Sequence, residues 1–173
     1  MAWITKNSAG MRIKRQDTPF LDDTLKSSLQ EVLERYPRKQ AATLPVLHAV
    51  QEKVGWLPYQ AIEEIADYLE VPASQVLDTA SFYEEFWLKP KGKYVIWMCQ
   101  SISCEVMGQP SLTQQVAEHL GIKPGETTED GKFTLMTVEC LGCCGDAPCA
   151  LVNEEIYGKI TAENFIESLD KLE

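Results

Sequence analysis

The chain has 173 residues, of which 45% are hydrophobic and 24% are charged, and its formal net charge is −10 at pH 7. This acidic balance argues against nucleic acid as a ligand, because phosphate contacts need clustered lysine and arginine. No apolar run approaches the length of a membrane-spanning helix, so any membrane association is expected to come through partners. Residues 1–15 carry four cations and no acid and lack the apolar stretch of a secretion signal. Residues 1–20 are therefore predicted to be a flexible tail.

The hydrophobic pattern of residues 21–88 predicts a bundle of four short helices. They are expected at residues 21–35, 42–54 and 58–69, and from residue 72 toward residue 86. Either Asp22 or Asp23 is available as the N-cap of the first helix, and Gly55 is expected to end the second. Apolar residues recur at helical spacing in each segment, which indicates amphipathic helices that bury one face.

The pattern changes at residues 89–93, a polar stretch with proline and glycine that we take as the domain boundary. Residues 89–173 are then predicted to form a second domain in which strands and helices alternate. The predicted strands are residues 94–98, 133–138, 150–152 and 156–157, and the predicted helices are residues 110–120 and 161–172. The first strand, helix and strand form a βαβ unit, which predicts two parallel strands and a right-handed crossover. The second domain is therefore predicted to be an α/β sandwich of thioredoxin-like proportions.

All six cysteines lie within a 51-residue window, and the preceding 98 residues contain none. Four residues separate Cys99 from Cys104, three separate Cys140 from Cys144, and 35 residues lie between the two pairs. Cys99 lies at the end of the first predicted strand, directly after residue 98, and Cys140 follows the second. The carboxyl ends of parallel strands meet at one edge of a sheet. Four thiolates can therefore converge there, which is the ligand set that a [2Fe-2S] core needs.

Other interpretations of the cysteines stay open on spacing alone. Structural zinc also takes four cysteines, although it usually prefers pairs separated by two residues. Cys140 and Cys143 could form a thioredoxin-like dithiol, which leaves the first pair unexplained, and a [4Fe-4S] cluster needs the same number of thiolates. A disulfide framework is disfavoured because the chain lacks a secretion signal and is large enough to form a core. His48 and His119 fall in predicted helices and are interpreted as ordinary helix residues.

Several short motifs agree in order and spacing with one known family. They are Cys99-x4-Cys104, Cys140-Leu-Gly-x-Cys144-Gly-Asp-Ala-Pro, IKPGETT at residues 122–128, DGKF at 130–133, YPRK at 36–39, GWLP at 55–58 and SFY at 81–83. The likeness to this family covers roughly residues 24–172. On these motifs the chain closely resembles the 24-kilodalton (E) subunits of NADH:quinone oxidoreductase, respiratory complex I.

The resemblance implies an α plus α/β chain: a helical bundle, then a thioredoxin-like domain with one [2Fe-2S] cluster on Cys99, Cys104, Cys140 and Cys144. It implies a single-electron relay without catalytic residues of its own, paired with a partner subunit that binds FMN and NADH. The expected location is cytoplasmic and peripheral to the inner membrane through the complex, or the mitochondrial matrix in a eukaryote. The alternatives are the equivalent small subunit of an NAD-linked hydrogenase or formate dehydrogenase, and a zinc-stabilised adaptor protein.

The sequence departs from the family pattern at two cysteines. Cys143 stands where the family usually has a small residue such as alanine or serine, and Cys149 stands where an aliphatic residue is usual. Both are expected to be small apolar side chains outside the ligand set, since free cysteine behaves as a small hydrophobe.

Overall fold

A computed structural model describes residues 15–173, so the part of the predicted tail in residues 1–14 lies outside the described residues. The chain divides into two compact units, the first ending at Pro90 and the second running from Lys91 to Glu173. Within the described residues, no helix combines the length and apolar character needed to cross a membrane.

The first unit contains the four predicted helices. Their bounds are α1 Asp23–Glu34, α2 Thr43–Val54, α3 Tyr59–Leu69 and α4 Ala73–Phe82. Asp22 is the N-cap of α1, and its side chain accepts a hydrogen bond from the backbone N–H of Leu25 at 2.9 Å. Gly55 ends α2 with φ +88°, a left-handed conformation that favours glycine. A short 3-10 helix at Lys39–Ala42, which the pattern does not predict, precedes α2.

The core of the first unit forms where the apolar faces of these helices meet. Along α3 the side chains of Ile62, Ile65 and Leu69 are buried, in keeping with the helical spacing of the sequence. The segment before α1 lies against α3 through hydrogen bonds from the Gln16 N–H to Gln60 Oε1 at 2.8 Å and from the Leu21 N–H to Glu64 Oε2 at 2.9 Å.

The second unit is a five-stranded mixed sheet with helices. The strands are β1 Tyr94–Cys99, β2 Glu126–Thr127, β3 Phe133–Val138, β4 Ala150–Val152 and β5 Glu155–Tyr157, and the helices are α5 Ile102–Val106, α6 Gln109–Leu120 and α7 Ala162–Asp170. The strand order is β2-β3-β1-β4-β5. The predicted parallel pairing of β1 with β3 is confirmed, and β2, β4 and β5 each pair antiparallel with their neighbours. An α-helical unit followed by an α/β unit is the predicted fold class.

The helices α6 and α7 cover hydrophobic residues of this sheet. Phe165 of α7 is fully buried among residues such as Ile96 of β1 and Leu135 of β3. Thr161 caps α7 by accepting a hydrogen bond from the Asn164 N–H, while the Asn164 side chain accepts one from the Thr161 N–H. This reciprocal capping box satisfies two N–H groups that have no partner inside the helix.

Candidate metal centre

Two cysteine loops begin at the same edge of the sheet. The parallel register pairs Cys99, the last residue of β1, with Val138, the last residue of β3. The next residue, Gln100, donates its backbone N–H to the Val138 carbonyl at 2.8 Å. Cys140 follows Val138 by two residues, so the loops carrying the two predicted cysteine pairs leave the sheet side by side.

Three thiols converge in the protein interior at this edge. Cys99, Cys104 and Cys149 are each at most 2% exposed, and their sulfur atoms all lie within 4.8 Å of one another. The Sγ atoms of Cys104 and Cys149 are 3.7 Å apart. We call these residues the buried trithiol.

Local structure explains why the members of the buried trithiol meet. The antiparallel register of β1 and β4 brings Cys149 beside the end of β1, where the Cys99 N–H donates to the Cys149 carbonyl at 3.2 Å. Cys104 comes from α5, the short helix that follows β1 directly. Strand pairing and one turn of helix are therefore enough to place all three sulfurs together.

The other predicted ligands lie in the loop between β3 and β4. Cys140 and Cys144 are exposed and do not belong to the group of sulfurs within 4.8 Å of one another. The Gly142 N–H donates to Cys140 Sγ at 3.4 Å. Cys143 is half-buried and packs against the buried trithiol. The structure thus brings Cys99 and Cys104 together and leaves Cys140 and Cys144 at the surface of the adjacent loop.

The loop between β3 and β4, which we call the cysteine loop, is attached to the segment between β5 and α7. The Lys159 N–H donates to the Asp146 carbonyl at 2.6 Å, and Lys159 Nζ lies 2.9 Å from Asp146 Oδ1. The Asp146 N–H in turn donates to the Cys143 carbonyl at 2.9 Å, which closes the turn containing Cys144. Gly158 allows this approach, because a Cβ atom there would stand 2.7 Å from Asp146 Cβ.

The pKa values of the three buried thiols are shifted in different directions. Burial would raise the pKa of Cys99, yet its pKa is lowered from the ordinary value. Backbone hydrogen bonds at Ser101 and Leu141, together with the two neighbouring thiols, stabilise its thiolate. Burial raises the pKa of Cys104 and that of Cys149, and the charge of neighbouring thiolates raises the latter further. Of the three thiols, that of Cys99 therefore loses its proton most readily.

The donor chemistry of the site fits an iron–sulfur cluster. Iron–sulfur clusters are held by cysteine thiolates and are tuned by hydrogen bonds to the sulfurs. The sheet edge supplies cysteines from both loops, and backbone N–H groups at Ser101, Leu141 and Gly142 interact with cysteine sulfur. The residues named as ligands from the sequence could hold such a group if the exposed pair turns toward Cys99 and Cys104.

Neither histidine takes part in this arrangement. His48 lies on α2, where its ring centroid is 4.7 Å from that of Phe86. His119 lies on α6, with Nε2 at 2.8 Å from Asp170 Oδ1. Both occupy helices, as the sequence indicates.

The sequence interpretation misses the convergence of Cys149 with Cys99 and Cys104. Cys149 immediately precedes the apolar run Ala150–Val152, which the sequence correctly predicts to be a strand. The position of Cys149 directly before a strand is the signal that could have indicated its place in the site. That signal can be used only if it is known that this strand pairs with β1. That pairing joins residues about fifty positions apart and has no local signature.

Comparison with known proteins identifies a matching family and several relatives. Residues 29–173 match the family described as thioredoxin-like [2Fe-2S] ferredoxin. The chain is 42% identical over 135 residues to the E subunit of NADH-quinone oxidoreductase from Aquifex aeolicus, covering 78% of this chain and 84% of that protein. It is 40% identical over 159 residues to the protein of the same name from Rickettsia bellii, covering 90% of this chain and 95% of that protein.

A solved structure has a similar fold. An NAD+-reducing [NiFe]-hydrogenase in the air-oxidised state superimposes with a TM-score of 0.61 at 25% sequence identity over 72% of this chain. The similar region is 22% of that hydrogenase chain, so this protein spans about a fifth of its length. With the matching family covering most of the sequence, the chain belongs to the thioredoxin-like [2Fe-2S] ferredoxin family, as its motifs predict.

Proposed function

We propose that this chain is the electron-transfer (E) subunit of an NADH:quinone oxidoreductase and holds one [2Fe-2S] cluster. The observation that carries the proposal is the meeting of two cysteine loops at one sheet edge, with Cys99 and Cys104 already buried together. Relatives named as E subunits of NADH-quinone oxidoreductase, which match over most of their length, support it. The chain contributes no catalytic residue to this function and acts as a non-catalytic redox subunit of the complex.

Cys99, Cys104, Cys140 and Cys144 are proposed as the ligands of the cluster. When bound, the cluster supplies one-electron chemistry, since its iron atoms change oxidation state by single electrons. The chain's own role is to hold the sulfurs, to exclude water from the buried pair, and to donate backbone hydrogen bonds to them. The N–H groups of the Ser101, Leu141 and Gly142 backbone are suited to that role.

A flavoprotein subunit that binds FMN and NADH is the proposed partner. Hydride chemistry needs a flavin or nicotinamide, whereas thiolate ligands on this chain support transfer of single electrons. The helix α5 carries Cys104 and exposes Ile102 and Val106, with Met107 following, at 71%, 77% and 59% exposure. Exposed apolar side chains beside a redox centre suit a protein contact across which electrons pass. Through this partner the chain would lie in the cytoplasm, peripheral to the inner membrane.

We also propose that the two units are separate domains, a helical domain of residues 21–88 and a cluster domain of residues 89–173. Their compactness on either side of Pro90 supports this division. The cysteines all lie in the second unit, so the helical domain is left free for assembly with other subunits.

Substitution of single cysteines tests the ligand set. After anaerobic reconstitution, the unmodified chain should be red-brown and contain about two iron atoms, as a [2Fe-2S] centre requires. Serine at Cys99, Cys104, Cys140 or Cys144 should remove or strongly perturb the visible absorbance, because a hard alkoxide replaces a soft thiolate. Cys143→Ala is the control that keeps the colour. A colourless unmodified chain, or a normal cluster in Cys144→Ser alongside its loss in Cys143→Ala, would contradict the proposal.

The equivalent small subunit of an NAD-linked hydrogenase is the second candidate, favoured by the fold similarity to the NAD+-reducing hydrogenase. Purification of the chain from its source with its partners intact separates the two candidates. Co-purification with a flavoprotein and quinone-reducing activity supports the first, and co-purification with a nickel-containing subunit supports the second.

A further inference from the structure

The buried trithiol contains one thiol that the proposed cluster does not use. Cys149 is 1% exposed, and its sulfur lies 3.7 Å from that of Cys104. A cysteine kept only as a small apolar side chain needs no such closeness to two other sulfurs. We propose that Cys99, Cys104 and Cys149 form a second metal site, which binds one Cu(I) ion when the chain holds no cluster.

The spacing of the three sulfurs suits one shared ion. Bonds from thiolate sulfur to a first-row metal ion are about 2.3 Å long, which puts three sulfurs in a trigonal plane roughly 4.0 Å apart. The sulfurs of the buried trithiol lie within 4.8 Å of one another, and one pair is already at 3.7 Å. Small side-chain rotations therefore suffice, and β1, α5 and β4 can keep their positions.

The number and kind of ligands favour Cu(I). Thiolates are soft ligands that select Cu(I), zinc and iron–sulfur clusters, and structural zinc requires a tetrahedron of four. Within the described residues, the group contains three cysteines and no histidine or carboxylate. A soft monovalent ion that accepts three sulfurs matches that set, whereas zinc would need a fourth ligand from the exposed loop.

The charge of the occupied site is compatible with its surroundings. Binding converts three thiols and one Cu(I) into a complex of net charge −2 and releases three protons to solvent. The oxidised [2Fe-2S] centre with four thiolates has the same net charge of −2, so the same pocket serves both.

Occupation by Cu(I) would exclude the cluster, because Cys99 and Cys104 would belong to both ligand sets. Copper would then compete with cluster assembly at the stage when the new chain is still empty. Cys149 is the residue that creates this competition, since Cys99 and Cys104 alone offer only two sulfurs.

The experiment uses the full chain with Cys140, Cys143 and Cys144 all replaced by serine, which leaves only the buried trithiol and prevents cluster formation. Cu(I) is added anaerobically and titrated against the chromophoric chelator bathocuproine disulfonate. We expect one Cu(I) per chain, and we expect further replacement of Cys149 by serine or by alanine to weaken binding by about 100-fold or more, since one of three ligands is lost. Circular dichroism checks that each variant is folded.

X-ray absorption at the copper edge of the parent variant provides a second measurement that needs no substitution at Cys149. Three sulfur neighbours support the site, and two neighbours or an unchanged affinity in Cys149→Ala would overturn it. Because the test chain lacks Cys140 and Cys144, its result is independent of the proposed electron-transfer function.

Discussion

Gly158 controls the position of the cysteine loop although it is not part of that loop. Its lack of a side chain lets Asp146 approach, and Asp146 holds the turn that contains Cys144. A methyl group at Gly158 would meet Asp146 Cβ at 2.7 Å, so the loop must shift.

The Gly158→Ala variant should therefore lose stability by about 1–3 kcal/mol, the usual cost of overpacking, and should hold a reconstituted cluster less firmly. Gly145→Ala is the matched control, because a Cβ there meets nothing within 4 Å. Urea unfolding and the visible absorbance after gel filtration measure the two effects. Equal behaviour of the two variants would show that the loop adjusts without cost.

Asp22 links the stability of the first unit to pH. A hydrogen bond from Lys53, followed by one from the Leu25 N–H, lowers the pKa of its carboxyl from the ordinary value of 3.8. A lowered pKa stabilises the folded state above the ordinary pKa, and that stability is lost as the pH falls through the folded-state pKa.

Asp22→Asn should consequently lower the unfolding midpoint at pH 7 and have little effect at pH 2, because asparagine keeps the cap but cannot pair with Lys53. Thermal unfolding at both pH values measures the difference. Asp23→Asn is the comparison at the first position of the helix, where the Lys26 contact is 3.9 Å. A midpoint difference that persists unchanged at pH 2 would show that the Lys53 pair is not the cause.

The place of a residue in the site can be predicted from the sequence where it depends only on residues close to it in the chain. The convergence of Cys99 with Cys104 follows from the spacing and from the end of a recognisable strand. Cys149 cannot be assigned in the same way, because its neighbours come from strand pairing rather than from adjacent sequence. The exposure of Cys140 and Cys144 is likewise a property of loop conformation, which spacing does not determine.

At the scale of elements, α7 buries Leu169 and the larger Phe165 in the core of the second unit. The Phe165 side chain is fully buried and its ring lies 5.5 Å from that of Tyr157. Phe165→Ala should destabilise the second unit by about 3–5 kcal/mol, through lost burial and a residual cavity. Ile156→Ala is the control, since Ile156 is 55% exposed and should change stability little. Urea unfolding compares the two, and similar losses would mean that α7 is not anchored in the core.

The elements with strong end signals are predicted well. Asp22, Gly55, Pro58 and Pro72 mark helix boundaries within one or two residues of where they occur. The short helix α5 is absent from the predicted helices, because five residues are too few to display a helical period. Strand β2 has two residues and exists only through its pairing with β3, so it has no signal of its own.

For the whole molecule, the boundary near Pro90 predicts that the two units tolerate separation. Insertion of a flexible six-residue spacer after Pro90 should change the stability of the second unit by no more than about 0.6 kcal/mol. The same insertion after Gly92 would separate this residue, whose N–H donates to Thr134 Oγ1, from Lys93 and β1. It should cost more stability, about 1 kcal/mol for each hydrogen bond lost. Urea unfolding of the two variants distinguishes them, and equal large losses would show that the units depend on the connector.

The overall plan is predictable because a strand, helix and strand of this length have one favoured arrangement, a parallel pair with a right-handed crossover. The placement of β4 on the other side of β1 is not predictable from local pattern, because three-residue strands carry little information. The strand order, and therefore the set of three cysteines in the buried trithiol, can be identified only from the structure.

The attachment of the cysteine loop to two paired strands determines where the sequence can change in length. At one end β3 is in register with β1, and at the other β4 is in register with Ile96–Met98, so both ends of the loop are fixed. Within the loop, Asp146 and Pro148 accept hydrogen bonds from the backbone N–H groups of Lys159 and Ile160, so residues gained or lost there must leave these two attachments in place. An insertion inside β4 would instead shift its register, turn alternate side chains to the opposite face and carry Cys149 away from Cys99. Length variation among related chains should accordingly fall within the loop and spare the strand.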